Sequence, residues 1–126
     1  MPASAKFFSA LGSFNAMLAV VLGAFGAHGL KRMVSPDMLA VFHTGVEYQF
    51  YHALGLLCVG LLLLHHSASA VLRWAGWLMF SGIILFSGSL YLLVITDIHW
   101  LGAITPIGGI AFILSWLLVF IAVLKT

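Results

Sequence analysis

Four long apolar runs, each broken off by a short polar stretch, give this chain its pattern. They run from about Phe7 to Ala27, from Pro36 to Leu64, from about Trp74 to Ile95, and from about Pro106 to Leu124. A helix crossing the roughly 30 Å hydrocarbon core needs about 20 apolar residues, so each run predicts a membrane span. The second would be roughly 43 Å long at 1.5 Å per residue, more than the core requires. Ser35 and Pro36 predict its start as an N-cap followed by proline at the first helical position, and Thr105–Pro106 repeats that grammar before the fourth run. In the first run Gly12, Ala16, Ala19, Gly23 and Ala27 recur at three- to four-residue spacing, a stripe that lets another helix backbone approach closely. Gly26 or Gly29 can end that run in a left-handed cap, with Lys31 and Arg32 suited to the negative helix end. Its charged start would also suit a secretory signal, but the apolar stretch is long for one, so a permanent span is expected. The fold class predicted is all-α, an integral membrane four-helix bundle, with residues 1–126 forming a single four-span transmembrane domain.

The second run departs from the others. Its half from Ala53 onward is almost wholly apolar, while the half before it carries His43, Thr44, Glu47, Tyr48, Gln49, Tyr51 and His52. Four crossings place both termini and the connection His65–Arg73 on one side of the bilayer. The other side then gathers GAFGAH (Gly23–His28), HTGVEYQFYH (His43–His52), FSGSLY (Phe86–Tyr91) and TPIGG (Thr105–Gly109), segments far apart in sequence. Lys6, Arg73 and Lys125 stand on the terminal side against Lys31 and Arg32 on the other, a balance that favours N-in and C-in. Trp74 and Trp100 suit interfacial anchors at opposite boundaries.

Composition narrows the function classes. With 63% hydrophobic and 6% charged residues and a mean hydropathy of +1.20, the chain cannot clothe a water-facing surface, since soluble domains carry roughly 25% charge. The net charge of +2 is scattered rather than striped, so nucleic acid is not an expected partner. A lone cysteine, Cys58, excludes an intramolecular disulfide and any multi-cysteine metal site, and reads as a small buried hydrophobe. His65 and His66 read as a solvated loop pair.

The candidate chemistry lies in the second run. His43, Glu47 and Tyr51 share one helix face; Tyr48 and His52 share another, near Gly55. An ionisable group in the hydrocarbon is costly unless paired, protonated or hydrated. Glu47 therefore reads either as a carboxylate paired with His28, Lys31 or Arg32, or as a proton-accepting or ligand-orienting group. His52 reads as an imidazole bonded to Ser89 or Tyr91, or as a ligand contact or haem ligand. Tyr48 and Tyr91 read as packing aromatics with bonded hydroxyls. His43 and Glu47 stand at a metal-compatible i, i+4 spacing with His28 as a third donor, but that spacing is common by chance and no second such motif exists, so no metal site is assigned. There is no phosphate-cradling glycine loop, nucleophile elbow or catalytic carboxylate pair, and no catalytic residue is assigned.

Taken together, GAFGAH, TG-x-EYQ-x-x-H (Thr44–His52), FSGSLY and TP-x-GG (Thr105–Gly109), in that order, resemble the motifs of the domain of unknown function 423 family of small bacterial inner-membrane proteins, whose mitochondrial relatives are named only as a transmembrane protein. The resemblance covers nearly the whole chain. It implies a four-span inner-membrane protein without an established activity, with His28, Tyr48, His52, Tyr91, Pro106 and Gly109 on the pattern and His43 outside it. The functional expectation is a non-enzymatic binding or assembly protein. His28, Glu47, Tyr48, His52, Ser89 and Tyr91 would form its ligand-binding site near one bilayer face, with the cofactor unknown. Its partners would be the lipid bilayer and a membrane-protein subunit or a second copy. The alternatives are a small quinone- or haem-linked redox protein and a small transporter.

Overall fold

The computed structural model describes residues 1–125 and is built from helices throughout. Helix α1 spans Ala3–His28 and α2 spans Pro36–His65; α3 (Ala70–Gly82) passes through a π-helical segment, Ile83–Ser87, into α4 (Gly88–Thr96); α5 spans Thr105–Lys125. Counting α3 to α4 as one unit, four helices are long and apolar enough to cross a membrane. The bundle is all-α.

Local sequence chemistry sets most boundaries. Ser35 caps α2, its hydroxyl accepting from the Met38 N–H at 3.2 Å with proline behind it. Ser69 caps α3 in the same way through Leu72, so the third helix begins four residues before the expected Trp74. The left-handed cap expected at Gly26 or Gly29 is absent. Gly29 stays right-handed, its N–H bonding the Phe25 carbonyl, and the chain runs on into a 3₁₀ turn, Leu30–Arg32, in which Arg32 N–H bonds the Gly29 carbonyl. The left-handed residue among those described is instead Asp97, with φ 57°, which ends α4. Aspartate tolerates that conformation better than most side chains.

Neighbouring helices run antiparallel. Gly12 of α1 meets Ala53 and Leu57 of α2, where an added Cβ would come within 2.7 Å of backbone atoms. The small stripe thus does bring the two backbones together, although Gly26 takes the buried position and Ala27 faces out. Gly45 of α2 lies against Tyr91 of α4, and Gly108 of α5 lies against the backbone of Phe86. Phe8, Leu56, Val59, Leu63, Leu72 and Met79 form the buried apolar core. The outer faces of α1 and α5 expose Phe14, Val20, Ile113 and Phe120, as lipid-facing helices do. Cys58 was expected in the core but is exposed on α2, because Leu56, Val59 and Gly60 occupy the inward positions around it.

Candidate functional site

The register of these helices fixes how deep each polar group lies. The Thr105 hydroxyl touches that of Ser89 at 2.6 Å, and Ser87 donates to the Gly45 carbonyl at 2.6 Å. Thr105, Ser89 and Gly45 are therefore nearly level. Helix α5, starting at Thr105, is roughly 30 Å long at 1.5 Å per residue, which matches the hydrocarbon thickness. Two and seven residues past Gly45, Glu47 lies roughly 3 Å inside that level and His52 roughly 10 Å.

Inside the bundle the polar side chains satisfy one another. Tyr91 donates its hydroxyl to Gln49 Oε1 at 2.6 Å, Gln49 Nε2 donates to Asn15 Oδ1 at 3.2 Å, and Asn15 Nδ2 donates to the Leu11 carbonyl at 2.9 Å. This chain ties α4 to α2 and α2 to α1. His52 takes neither of its expected partners. Its Nδ1 meets the Tyr48 carbonyl at 2.8 Å, and its Nε2 accepts from Trp116 Nε1 at 3.0 Å. Since a carbonyl only accepts and an indole N–H only donates, the imidazole is the neutral Nδ1–H tautomer. The reason for the different partner is direction: His52 faces α5, where its ring stacks on Phe112 at 3.5 Å and 9°, while Ser89 lies about seven residues closer to the interface. Iron ligation by His52 would require breaking the Trp116 bond. Ser89 also donates to the Phe86 carbonyl. The Thr105 hydroxyl, expected to cap α5, instead reaches Ser89.

Why Ser87 can aim at Gly45 follows from the π segment. The wider turn of the π segment rotates Ser87 and Phe86 relative to a regular helix. Nothing in the sequence FSGSLY announces that turn.

The six candidate residues therefore divide. His52, Ser89 and Tyr91 are interior and bonded; Tyr48 is half-exposed, packed on Phe86 with ring centroids 4.6 Å apart and stacked on His52. His28 and Glu47 are exposed. Among the described residues Glu47 has no ion-pair partner, the one ion pair being His99–Asp97. The pairing expected with Lys31 or Arg32 fails on distance, since α2 begins eleven residues, roughly 16 Å, before Glu47. Nor do His28, His43 and Glu47 form a three-donor group among the described residues. Glu47 stands instead on the lip of a groove of about 280 Å³ between α1 and α2, lined by Ala19, Gly23, Val46, Phe50 and Tyr51. Its side chain leans toward the start of α2 and so toward the nearer interface.

Sequence reasoning missed Asn15, Ser87 and Trp116. Trp116 is one of many aromatics in an apolar run. Asn15 is the better signal, because an amide in the middle of a membrane span asks for a bonded partner.

A family model described as "Protein of unknown function (DUF423)" matches residues 22–109. The UPF0382 membrane protein YwdK of Bacillus subtilis is 56% identical over 95% of this chain and 98% of its own. UPF0382 membrane proteins of Staphylococcus epidermidis and Staphylococcus aureus are each 52% identical over 95% of this chain and 97% of theirs. No solved structure matches.

Proposed function

Because the chain belongs to the DUF423 family of membrane proteins, its activity has to be argued from its own groups, and we propose a non-enzymatic binding protein of the inner membrane. The site is the groove between α1 and α2, and its occupant is a small amphiphile whose amine or hydroxyl head donates to Glu47. The observation that carries this reading is Glu47 itself, an exposed carboxylate on a membrane-spanning helix with no intramolecular ion-pair partner among the described residues. Such a group is costly in lipid unless something donates to it. The groove beneath it is apolar and of a size for one chain, small beside the roughly 300–1,000 Å³ of most ligand pockets. Gln49 and Asn15 then hold together the two helices that frame the groove, while His52 and Tyr91 tie α2 to the rest of the bundle rather than touch the ligand.

The test compares dodecylamine with dodecyltrimethylammonium, which has no N–H, as thermal stabilisers of the detergent-solubilised protein. The amine should stabilise the protein more, and Glu47→Gln should abolish the difference without lowering the melting temperature of the unliganded protein. Equal effects of the two compounds on the unsubstituted protein would refute the reading.

A further inference from the structure

The end of the bundle opposite the Glu47 groove has a different electrostatic character. All three acidic residues, Asp37, Glu47 and Asp97, lie in the half that holds the α1–α2 and α4–α5 connections. The other end carries Lys6, Arg73 and Lys125 and no acidic side chain. There, Ala70, Arg73, Trp74 and Trp77 follow one another at i, i+3, i+4 and i+7, one face of the first two turns of α3, and line a concavity of about 210 Å³.

We propose that this concavity binds the phosphate of an anionic phospholipid headgroup. Arg73 is half-buried and gives one N–H to the Ser67 carbonyl at 3.0 Å, which orients the guanidinium and leaves its other donors without an intramolecular partner among the described residues. No carboxylate among the described residues pairs with it. Trp74 is 65% exposed, and Trp77 packs on Phe7 and Phe8 of α1 with ring centroids 5.4 and 5.6 Å away. Trp74, near the start of α3, suits the boundary level where amphipathic rings belong, Trp77 lies one turn further in, and neither indole N–H has a partner among the described residues. The concavity presents donors and a positive charge over apolar walls, matching a phosphate diester above acyl chains. Guanidinium suits that ligand because its planar fork can bond two phosphate oxygens at once. Side chains on α3 lean toward its N-terminus, which carries Arg73 out toward the headgroups. The site is independent of the Glu47 groove.

Native mass spectrometry of the full chain in mild detergent, with phosphatidylglycerol and phosphatidylcholine of matched chains added in equal amounts, reads the proposal directly. Phosphatidylglycerol should be retained about fivefold or more over phosphatidylcholine, the effect of one well-placed cation at the membrane surface. Arg73→Gln should bring the ratio close to one, Trp74→Phe should reduce it about twofold, and Lys125→Gln should leave it unchanged. Equal retention of the two lipids, a preference that survives Arg73→Gln, or an equal loss with Lys125→Gln would overturn the assignment. Displacement of bound phosphatidylglycerol by stoichiometric glycerol phosphate would also overturn it, since the ligand would then be a soluble phosphate ester.

Discussion

On the terminal side of the bundle, Gly12, Gly60 and Gly76 let helices close on Phe8, Leu56, Val59, Leu63 and Met79, with dispersion and backbone proximity as the adhesive. On the loop side the same helices are joined by hydrogen bonds: Tyr91 to Gln49 to Asn15, Ser87 to Gly45, Ser89 to Thr105, Trp116 to His52. Lipid tails are as apolar as leucine, so burying leucine against leucine contributes little net driving force within a membrane. Close packing and directional bonds are what remain: the terminal half relies on packing, and the loop half adds bonds between helices to its glycine contacts at Gly45 and Gly108. Packing tolerates no added volume, whereas a bonded network tolerates no missing partner.

The sharpest way to break this contrast is to add volume where backbones meet. Gly12→Val should destabilise the bundle by about 3 kcal/mol, because the new side chain meets the Ala53 and Leu57 backbones and neither can move aside. Unfolding in a denaturing-detergent titration reads the loss; a shift under about 1 kcal/mol would mean that α1 and α2 are less tightly joined than their register implies. Next comes removal of the central link on the loop side. Gln49→Leu strands the Tyr91 hydroxyl and Asn15 Oδ1 together and should cost about 1–2 kcal/mol by the same titration, with Asn15→Leu in that background costing nothing further. Additive losses would show that the two bonds act separately.

Smaller effects sharpen the picture. Trp116→Phe keeps an aromatic ring on His52 but removes one donor, so it should cost about 0.6 kcal/mol, the typical worth of an interhelical bond in lipid. The smallest expected change is Gly88→Ala. An added Cβ there meets nothing within 4 Å, and alanine is the better helix former, so stability should hold or rise by up to about 1 kcal/mol. Gly108→Ala, whose Cβ would strike the Phe86 backbone, should go the other way. If both glycine substitutions behaved alike, the assignment of Gly108 as a contact and Gly88 as open space would fail.

The same contrast explains what could be read in advance. The Ser35–Pro36 start, the small stripe on α1 and the polar half of α2 are consequences of local chemistry and could be read from residue types and spacing. Glu47 stood out because a carboxylate in an apolar run is conspicuous in any context. The partners of these groups were less legible. Glu47 stands at the edge of a groove too far along α2 to meet Lys31 or Arg32, and His52 meets Trp116 instead of Ser89 or Tyr91, because register and rotation about each helix axis decide which neighbour a side chain meets.

The chain alone determined that it must form helices and where several of them begin, since apolar length and capping residues act within one turn of themselves. It also set Lys6, Arg73 and Lys125 on one side and Lys31 and Arg32 on the other, because charge position follows from the number of crossings. Only the tertiary structure decided that Asn15, Gln49 and Tyr91 form one hydrogen-bonded chain, that a π segment turns Ser87 toward Gly45, and that Arg73 and Trp74 share a concavity. Those outcomes depend on the rotation and register of packed helices, which no single segment specifies, because each is set by the volumes its neighbours leave open.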